Sequence, residues 1–334
     1  MEPVTHALTS LALSRAGLNR TARRATWILL AGGLLPDLDL LSLLLGPRYL
    51  LRWNGALTHS LLGCGILVFL IALAFWLADR KHPKEPLRFS RALLLAGIGA
   101  AAHLLLDLAD SFGIQLLWPF REKWFAGYWA QMVDPWILLL LLLGLLLPGL
   151  FRLVSEEIGE RKKKRAGRGA IVWLALVVLY LAGRGLLHSR AIDQLLAREY
   201  HGAAPVATGA FPTSASPLVW RGVVATANTL EEVEVPFTPG SYFDPERSVT
   251  HFKPEASPAL EAANGTATAQ RFLRFARFPL ASLERTEGGW HFELRDLRFA
   301  RGASALPAVI AVVDLDASLR VTREELQFET SAKH

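Results

Sequence analysis

The feature that most constrains this chain is a series of long apolar blocks between Thr26 and Leu187. A helix that crosses a membrane needs about 20 mainly apolar residues. The candidate spans are residues 26–45, 57–78, 92–115, 135–151 and 169–187. An earlier apolar stretch, residues 4–18, is short, and a short span, a re-entrant helix and an interfacial helix all fit it. Its start is not basic, so we expect no signal peptide. We therefore predict an α-helical polytopic membrane bundle of five to six membrane helices.

The last third of the chain has mixed polarity instead. The strings VWRGVVATAN, EEVEVPFT, RFLRFARFPLASLERT, GGWHFELRDLRFA and AVIAVVDLDASLRV suggest strands separated by turns. We predict a membrane helical domain over residues 1–190 and a small antiparallel β-rich soluble domain over residues 191–334. The second domain has no recognisable catalytic motif. The sequence leaves three roles open for this domain, namely capping the membrane site, selecting a substrate or binding a partner.

Composition excludes some classes of protein. Hydrophobic residues make up 52% of the 334 residues, which is too many for an ordinary soluble protein. Cys64 is the single cysteine, so a disulfide within the chain and a cysteine-rich zinc site are excluded. The pI near 9.7 fits nucleic-acid binding or the cytoplasmic loops of a membrane protein. The positions of the charges must decide between the two.

Segments rich in Lys and Arg alternate along the chain with segments that are poor in them. The rich segments are residues 15–24, 80–91 and 152–168, and the poor ones are residues 48–52 and 121–123. This alternation is the positive-inside pattern of membrane proteins. The basic run ERKKKRAGR at residues 160–168 is typical of a cytoplasmic loop beside anionic lipid, so we expect no nucleic-acid partner. The fifth span then leaves the C-terminal domain on the extracytoplasmic side.

With this topology, acidic and imidazole side chains collect near the outer face. Two of these side chains follow Pro36, which breaks the helix of the first span. The residues are Asp37 and Asp39 after the first span, His59 at the second, His103 and Asp107 in the third, Asp134 before the fourth and, if residues 4–18 cross, His6. Ionisable groups near hydrocarbon are costly and typically functional. Because the topology rests on Lys and Arg alone, this convergence is an independent observation.

The spacing and the residue types indicate a metal site. His103 and Asp107 are four residues apart and Asp110 is seven from His103, so one helical stripe would carry all three. Imidazole nitrogen with carboxylate oxygen suits Zn²⁺ best, and also Mn²⁺ or Fe²⁺. The predicted ligands are His6, Asp37, Asp39, His59, His103 and Asp107. They exceed the four ligands of one zinc ion, so one or two ions are expected.

Simpler interpretations exist for some of these residues. A single histidine at the end of a span, such as His6 or His59, is commonly an interfacial residue. Asp134 precedes a proline, and an aspartate in this position commonly caps the start of a helix. His103 with Asp107 inside an apolar run has no comparable explanation. The combination therefore favours a site over coincidence.

Several short motifs resemble those of the YdjM-like family of inner-membrane, metal-dependent hydrolases. They are PVTHAL, LLPDLDLL, LTHSLLG, HLLLDLADSFGIQLLWPF and DPW, which occur in the expected order over roughly residues 1–150. The resemblance implies a bacterial inner-membrane protein whose metal ligands are the six residues given above. Two positions depart from the family. Asn54 lies in the stretch where His-Arg-Gly is common, which puts a role of that histidine in doubt, and Asp110 stands where Asn is expected.

These observations predict metal-assisted hydrolysis at the outer membrane–water boundary. Asp110 or Asp134 would take the proton from a metal-bound water. The predicted substrate is a membrane lipid or a lipid-linked ester or phosphoester, and a protein partner is left unassigned. Arg121 and Lys123 would contact an anionic head group or, with nearby tryptophans, form an interfacial belt. A metal-ion or proton transporter and a noncatalytic, metal-stabilised envelope scaffold are the alternatives.

Overall fold

A computed structural model describes residues 1–53, 55–80, 86–157, 168–214, 216–299 and 308–329. Within these ranges the helices are α1 (Pro3–Arg15), α2 (Ala25–Leu34), α3 (Pro47–Trp53), α4 (Leu61–Asp79), α5 (Phe89–Ala109), α6 (Pro135–Glu157), α7 (Arg168–Leu196), α8 (Pro258–Asn264) and α9 (Ala267–Phe275). Asn54 and nearly all of the basic run at residues 160–168 lie outside the described residues.

Among the residues that the structure describes, four helical segments are long and apolar enough to cross a membrane. They are Ala25–Leu45, Leu61–Asp79, Phe89–Ala109 and Arg168–Leu196. α6 contributes a shorter apolar stretch, Pro135–Leu150. α1 has 13 residues, fewer than the about 20 that a full crossing needs. The predicted helical membrane region is therefore confirmed, whereas the number of five to six spans stays a prediction.

The first long span changes its winding at Pro36. α2 ends at Leu34, and a 3₁₀ helix continues over Leu35–Leu45. Proline has no N–H to donate and its ring crowds the preceding turn, so the α-helix stops there. Asp37 falls in the first turn of the tighter segment. The break that the sequence predicts thus places Asp37 and Asp39 just beyond the end of α2.

α2 and α5 pack at backbone distance through glycines. A Cβ atom at Gly32 would lie 2.3 Å from a carbonyl oxygen of α5, and one at Gly99 would lie 2.5 Å from a carbonyl oxygen of α2. Real Cβ atoms do not approach oxygen this closely, so only glycine fits both positions. The close crossing brings Gly33 of α2 beside His103 of α5. This contact fixes one ring of the site described below.

The chain divides into two compact units. One unit contains Met1–Leu41 with Trp53–Arg184, and the other contains Ser42–Arg52 with Gly185–His334. The first unit holds α1, α2, α4, α5, α6 and more than half of α7. The strands all belong to the second unit.

The second unit has two four-stranded antiparallel sheets, in the orders β1-β2-β3-β4 and β5-β6-β7-β8. The strands are β1 (Ala207–Pro212), β2 (Val219–Ala225), β3 (Thr229–Pro236), β4 (Val249–Phe252), β5 (Pro279–Thr286), β6 (Gly289–Asp296), β7 (Val309–Asp316) and β8 (Val321–Phe328). β7 is mostly buried and pairs with β6, with Val313 opposite Phe292. A guanidinium nitrogen of Arg221 in β2 donates at 2.6 Å to the carbonyl oxygen of Arg298, which links the first sheet to the 3₁₀ turn that follows β6. The predicted antiparallel β-rich region is confirmed, but residues 271–275, at the start of the string RFLRFARFPLASLERT, end helix α9 instead of forming a strand.

Candidate metal centre

His103 and Asp107 on α5 form the buried centre of the site. They are one helical turn apart, and Nε2 of His103 lies 3.0 Å from Oδ2 of Asp107. Only 1% and 3% of their respective surfaces are exposed. A carboxylate buried this deeply needs a positive partner or several hydrogen bonds. The predicted stripe is present for this pair, but α5 ends at Ala109, so Asp110 lies beyond the helix.

His59 reaches the same point from the segment that precedes α4. The Ser60 side chain caps that helix by accepting from the N–H of Gly63 at 3.0 Å, which is why the helix begins just after His59. Nε2 of His59 lies 3.0 Å from Nε2 of His103 and 3.0 Å from Oδ2 of Asp107. Three atoms of the kinds that bind metals are therefore in mutual contact.

Hydrogen bonds on the far side of each ring determine which nitrogens face inward. Nδ1 of His103 lies 2.9 Å from the carbonyl oxygen of Gly33, which can only accept, so Nδ1 carries the proton. Nδ1 of His59 lies 2.9 Å from Oδ2 of Asp39 and donates to it in the same way. In the neutral rings both Nε2 atoms then present lone pairs to each other and to Asp107. A cation among these atoms, either a metal ion or a proton on one ring, removes the repulsion.

Asp37 approaches this centre from the 3₁₀ segment after α2. Its Oδ1 lies 3.9 Å from Nε2 of His59 and 3.8 Å from Nε2 of His103. Its Oδ2 is buried and has no hydrogen-bond partner among the described residues. Asp37, His59 and His103 form one group whose ligand atoms all lie within 4.8 Å of one another. A bound cation would compensate this carboxylate, because buried polar atoms normally have partners.

His6 of α1 adds a second group that shares His103. The two rings stack with their centroids 3.8 Å apart. Nε2 of His6 lies 3.1 Å from Oδ1 of Asp107, and His6, His103 and Asp107 again have ligand atoms within 4.8 Å of one another. Because Oδ1 of Asp107 faces His6 while Oδ2 faces the other two rings, this carboxylate can serve one ion or bridge two.

Asp110 lies at the edge of the cluster. Its Oδ1 accepts from the N–H groups of Phe112 and Gly113 at 2.8 and 3.0 Å, which closes the turn after α5. Its Oδ2 accepts from the amino group of Met1 at 2.8 Å. The same amino group also donates to Oδ1 of Asp107. One oxygen of Asp110 therefore builds the turn, and the other faces the cluster.

Asp134 stands at the start of α6 and belongs to neither group. Its Oδ1 accepts from the N–H groups of Trp136 and Ile137 at 3.0 and 3.1 Å, as the side chain of a helix cap does. The hydroxyl of Tyr180 lies 3.3 Å from each of its carboxylate oxygens. These contacts support the helix-start interpretation, and a catalytic role for Asp134 stays a prediction.

The sequence motifs do not reveal the backbone partners of the site. The carbonyl oxygen of Gly33 fixes His103, and the N–H of Gly55 donates to Oδ2 of Asp39 at 2.9 Å. Any residue has these backbone groups, so no residue type marks them. Tyr180, whose hydroxyl contacts Asp134, is not among the predicted site residues, although a hydroxyl inside an apolar span is a feature that a sequence can show.

Apolar helices and buried imidazoles and carboxylates that can hold a metal ion make this chain a membrane protein with a candidate metal centre. The family model described as YdjM inner membrane protein matches residues 1–191. The chain therefore belongs to that family, as its motifs predict, and it is embedded in the membrane. No match was found among curated proteins or among solved structures. Both groups of candidate metal ligands lie within the residues that the family model matches.

Proposed function

We propose that this protein is a membrane-embedded, metal-dependent hydrolase that acts on a lipid-linked ester or phosphoester at the extracytoplasmic face. One observation carries the proposal: Nε2 of His59, Nε2 of His103 and Oδ2 of Asp107 lie 3.0 Å from one another. Tetrahedral ligands at the usual Zn–N distance of about 2.0–2.1 Å are separated by about 3.3 Å. The observed spacing is close to that value.

The donor set favours Zn²⁺, with Mn²⁺ or Fe²⁺ as alternatives. When bound, such an ion lowers the pKa of a coordinated water and polarises the oxygen of a carbonyl or phosphoryl group. His59, His103, Asp37 and Asp107 would hold the ion, and the two carboxylates would balance its charge. His6 with Oδ1 of Asp107 offers donors for a second ion.

Asp110 is the better placed of the two predicted bases. A general base must lie within hydrogen-bond reach of the reacting water or be linked to it through one further water. Asp110 shares the amino group of Met1 with Asp107, so its Oδ2 lies beside the cluster. Asp134 instead accepts from the first turn of α6 and from Tyr180. We therefore assign the proton transfer to Asp110 and the capping of α6 to Asp134.

The loop between α5 and α6 supports a lipid substrate. Ile114 and Phe125 pair through two backbone hydrogen bonds of 2.9 and 2.8 Å and so form a hairpin. Beyond this pair Phe120 is 82% exposed, and Arg121 and Lys123 are exposed as well. An exposed aromatic ring beside basic groups is typical of the membrane–water boundary. There the two cations would contact an anionic head group.

Transport is less well supported than hydrolysis. A transporter needs polar groups that continue from its ligands to the opposite face of the membrane. The first half of α5 packs into an apolar cluster with α2 and α4. Helix α1 does bury Thr9, Ser10 and Ser14 beyond His6, but these hydroxyl groups carry no charge. A noncatalytic scaffold fits the same ligands, and only an activity measurement separates it from an enzyme.

The test uses the full chain in lipid nanodiscs. Purified wild-type protein should retain Zn²⁺ and cleave ester or phosphoester lipid analogues only when loaded with metal. His103→Ala and Asp107→Ala should lose both properties, whereas His188→Ala on α7 should keep both. Metal retention without cleavage of either lipid class would point to a scaffold. Accumulation of the metal inside proteoliposomes would point to a transporter.

The proposed side of the membrane has its own test. In a Cys64→Ala background, single cysteines can replace Asn19 after α1 and Ser241 in the β unit, because both residues are exposed. A maleimide that cannot cross membranes should label the cysteine at position 241 in spheroplasts. It should label the cysteine at position 19 only after lysis. The reverse pattern would contradict the assigned orientation.

A further inference from the structure

We propose that Asp39 is not a ligand of the metal but a positioning residue that presents His59 to it. This inference rests on the proposed metal centre and assigns different roles to the two acids of the LPDLD motif. Asp37 would bind the ion, and Asp39 would orient a ring that binds it.

The contacts of Asp39 are those of an orienting group. Its Oδ2 accepts from Nδ1 of His59 at 2.9 Å and from the N–H of Gly55 at 2.9 Å. Its side chain is buried, so water does not compete for these bonds. In metal sites a ligating histidine commonly donates its other N–H to a carboxylate, which fixes the tautomer and the ring orientation. Asp39 stands in that place relative to His59.

His103 provides an internal comparison. Its Nδ1 is fixed by the carbonyl oxygen of Gly33, and its Nε2 faces the centre. His59 shows the same division, with Nδ1 bound to Asp39 and Nε2 facing the centre. Each ring thus has one partner behind it and the metal-type atoms in front of it. Asp37 differs, because its Oδ1 lies within 3.9 Å of both inward-facing Nε2 atoms.

Gly55 holds Asp39 in this orientation. Gly55 has φ +70°, a conformation that glycine adopts without strain. A Cβ atom there would lie 3.1 Å from the ring of Trp124. The carbonyl oxygen of Gly55 accepts from the N–H of Gln115 at 2.6 Å, so the peptide units before and after this residue are each hydrogen-bonded. The N–H that reaches Asp39 is therefore fixed by the loop that follows α5.

Metal affinity and ligand geometry separate the two roles. The competing hypothesis is that Asp39 binds the ion directly, because its Oδ1 is buried and has no hydrogen-bond partner among the described residues. The proteins to compare in nanodiscs are wild type, Asp39→Ala, Asp39→Asn and Asp37→Ala. Zinc affinity is measured by competition with a chromophoric chelator, and the absorption bands of bound Co²⁺ report the ligand set.

Loss of an orienting partner typically weakens metal binding 10–100-fold. We expect this loss for Asp39→Ala, with an unchanged metal stoichiometry and unchanged Co²⁺ bands. Asp39→Asn keeps an oxygen that accepts from both donors and should recover most of the affinity. Asp37→Ala should shift the Co²⁺ bands because a ligand is removed. If Asp39→Ala fails to fold, Asp39→Asn and Gly55→Ala replace it in the comparison. Gly55→Ala should weaken zinc binding without altering the Co²⁺ bands.

The inference is overturned if either Asp39 variant shifts the Co²⁺ bands as Asp37→Ala does. It is also overturned if Asp39→Ala, or Gly55→Ala where Asp39→Ala does not fold, binds Zn²⁺ as tightly as wild type. Neither result touches the proposed function, because the wild type still binds metal. A wild-type protein that binds no metal would remove both. The experiment measures metal binding and not catalysis. It therefore tests the role of Asp39 even if the protein is a noncatalytic scaffold that binds metal.

Discussion

Nε2 of His59 and Nε2 of His103 lie 3.0 Å apart, while each ring directs its Nδ1 to a fixed acceptor behind it. The two rings come from different segments, and their acceptors come from α2 and the 3₁₀ turn that follows it. The geometry of the centre therefore depends on the packing of several helices. A cation bound between the rings would in turn crosslink those helices, so metal binding and folding should be coupled.

The first prediction concerns stability. A ligand that binds only the folded state at about 100 times its Kd stabilises that state by about 2.7 kcal/mol. Excess Zn²⁺ should therefore raise the temperature at which the detergent-solubilised protein aggregates, and EDTA should reverse the change. Fluorescence-detected size exclusion measures both. His103→Ala should show no shift, and equal shifts in both proteins would mean that Zn²⁺ acts elsewhere.

The sequence predicts the members of this cluster better than their roles. His103 and Asp107 are recognisable because a four-residue spacing places both on one helix face. Asp37 and Asp39 are recognisable because Pro36 marks the end of a helix. Their separate contacts depend on where the N–H of Gly55 points, which no side-chain pattern encodes. Helix α5 ends at Ala109, one residue before Asp110, so Asp110 does not lie on the predicted helical stripe.

The second prediction tests the close crossing of α2 and α5. Gly99→Ala would place a Cβ atom 2.5 Å from a carbonyl oxygen of α2, so the helices must separate. Overpacking of this kind typically costs about 1–3 kcal/mol. It should also weaken zinc binding, because Gly33, whose nitrogen lies 3.0 Å from the added atom, orients His103. Thermal aggregation and chelator competition measure the two effects.

Gly97→Ala is the matched control on the same helix. The nearest atom to its added Cβ, on the side chain of Val68, is 4.0 Å away. Alanine is the better helix former by up to about 1 kcal/mol, so this variant should be neutral or slightly stabilised. Equal destabilisation by the two substitutions would contradict the backbone contact at Gly99.

The third prediction separates capping from catalysis at Asp134. Asparagine caps helices about as well as aspartate, whereas alanine costs about 0.5–2 kcal/mol. Asp134→Asn should therefore keep both stability and hydrolysis, and Asp134→Ala should lose stability. Asp110→Asn should instead lose hydrolysis while keeping bound metal. A stable Asp134→Asn protein without hydrolytic activity would restore the catalytic role that the sequence suggests.

The two halves of the chain differ in what the sequence reveals about their fold. Apolar length identifies the long helices, because a membrane leaves few alternatives to a helix. In the β unit, sequence patterns predict strands such as β6 and β7, but not that the eight strands form two separate sheets. Helices α8 and α9 lie between the two sheets along the chain, and Arg221 contacts Arg298 across 77 positions of the sequence. Local patterns carry no information about such partners.

The last prediction concerns pH and the β unit. Burial raises the pKa of the Glu231 carboxyl, but hydroxyl donors that include Thr250 at 2.7 Å and Ser248 at 2.9 Å outweigh it and hold the pKa below its usual value. A lowered folded-state pKa stabilises the fold above the unfolded pKa of about 4.3, and the contribution is lost as pH falls through the folded pKa. The β unit should therefore open progressively in acid below about pH 4.3.

Hydrogen exchange of β3 and β4 in the full-length protein, corrected for intrinsic rates, measures this opening. Glu231→Gln removes the titrating group, so protection should already be lower at pH 7, by about 1–3 kcal/mol. Its protection should then depend less on pH in the acid range than that of the wild type. Glu234→Gln changes an exposed residue of the same strand and should follow the wild-type curve. If Glu231→Gln also followed it, the acid sensitivity of these strands would have to come from another carboxylate.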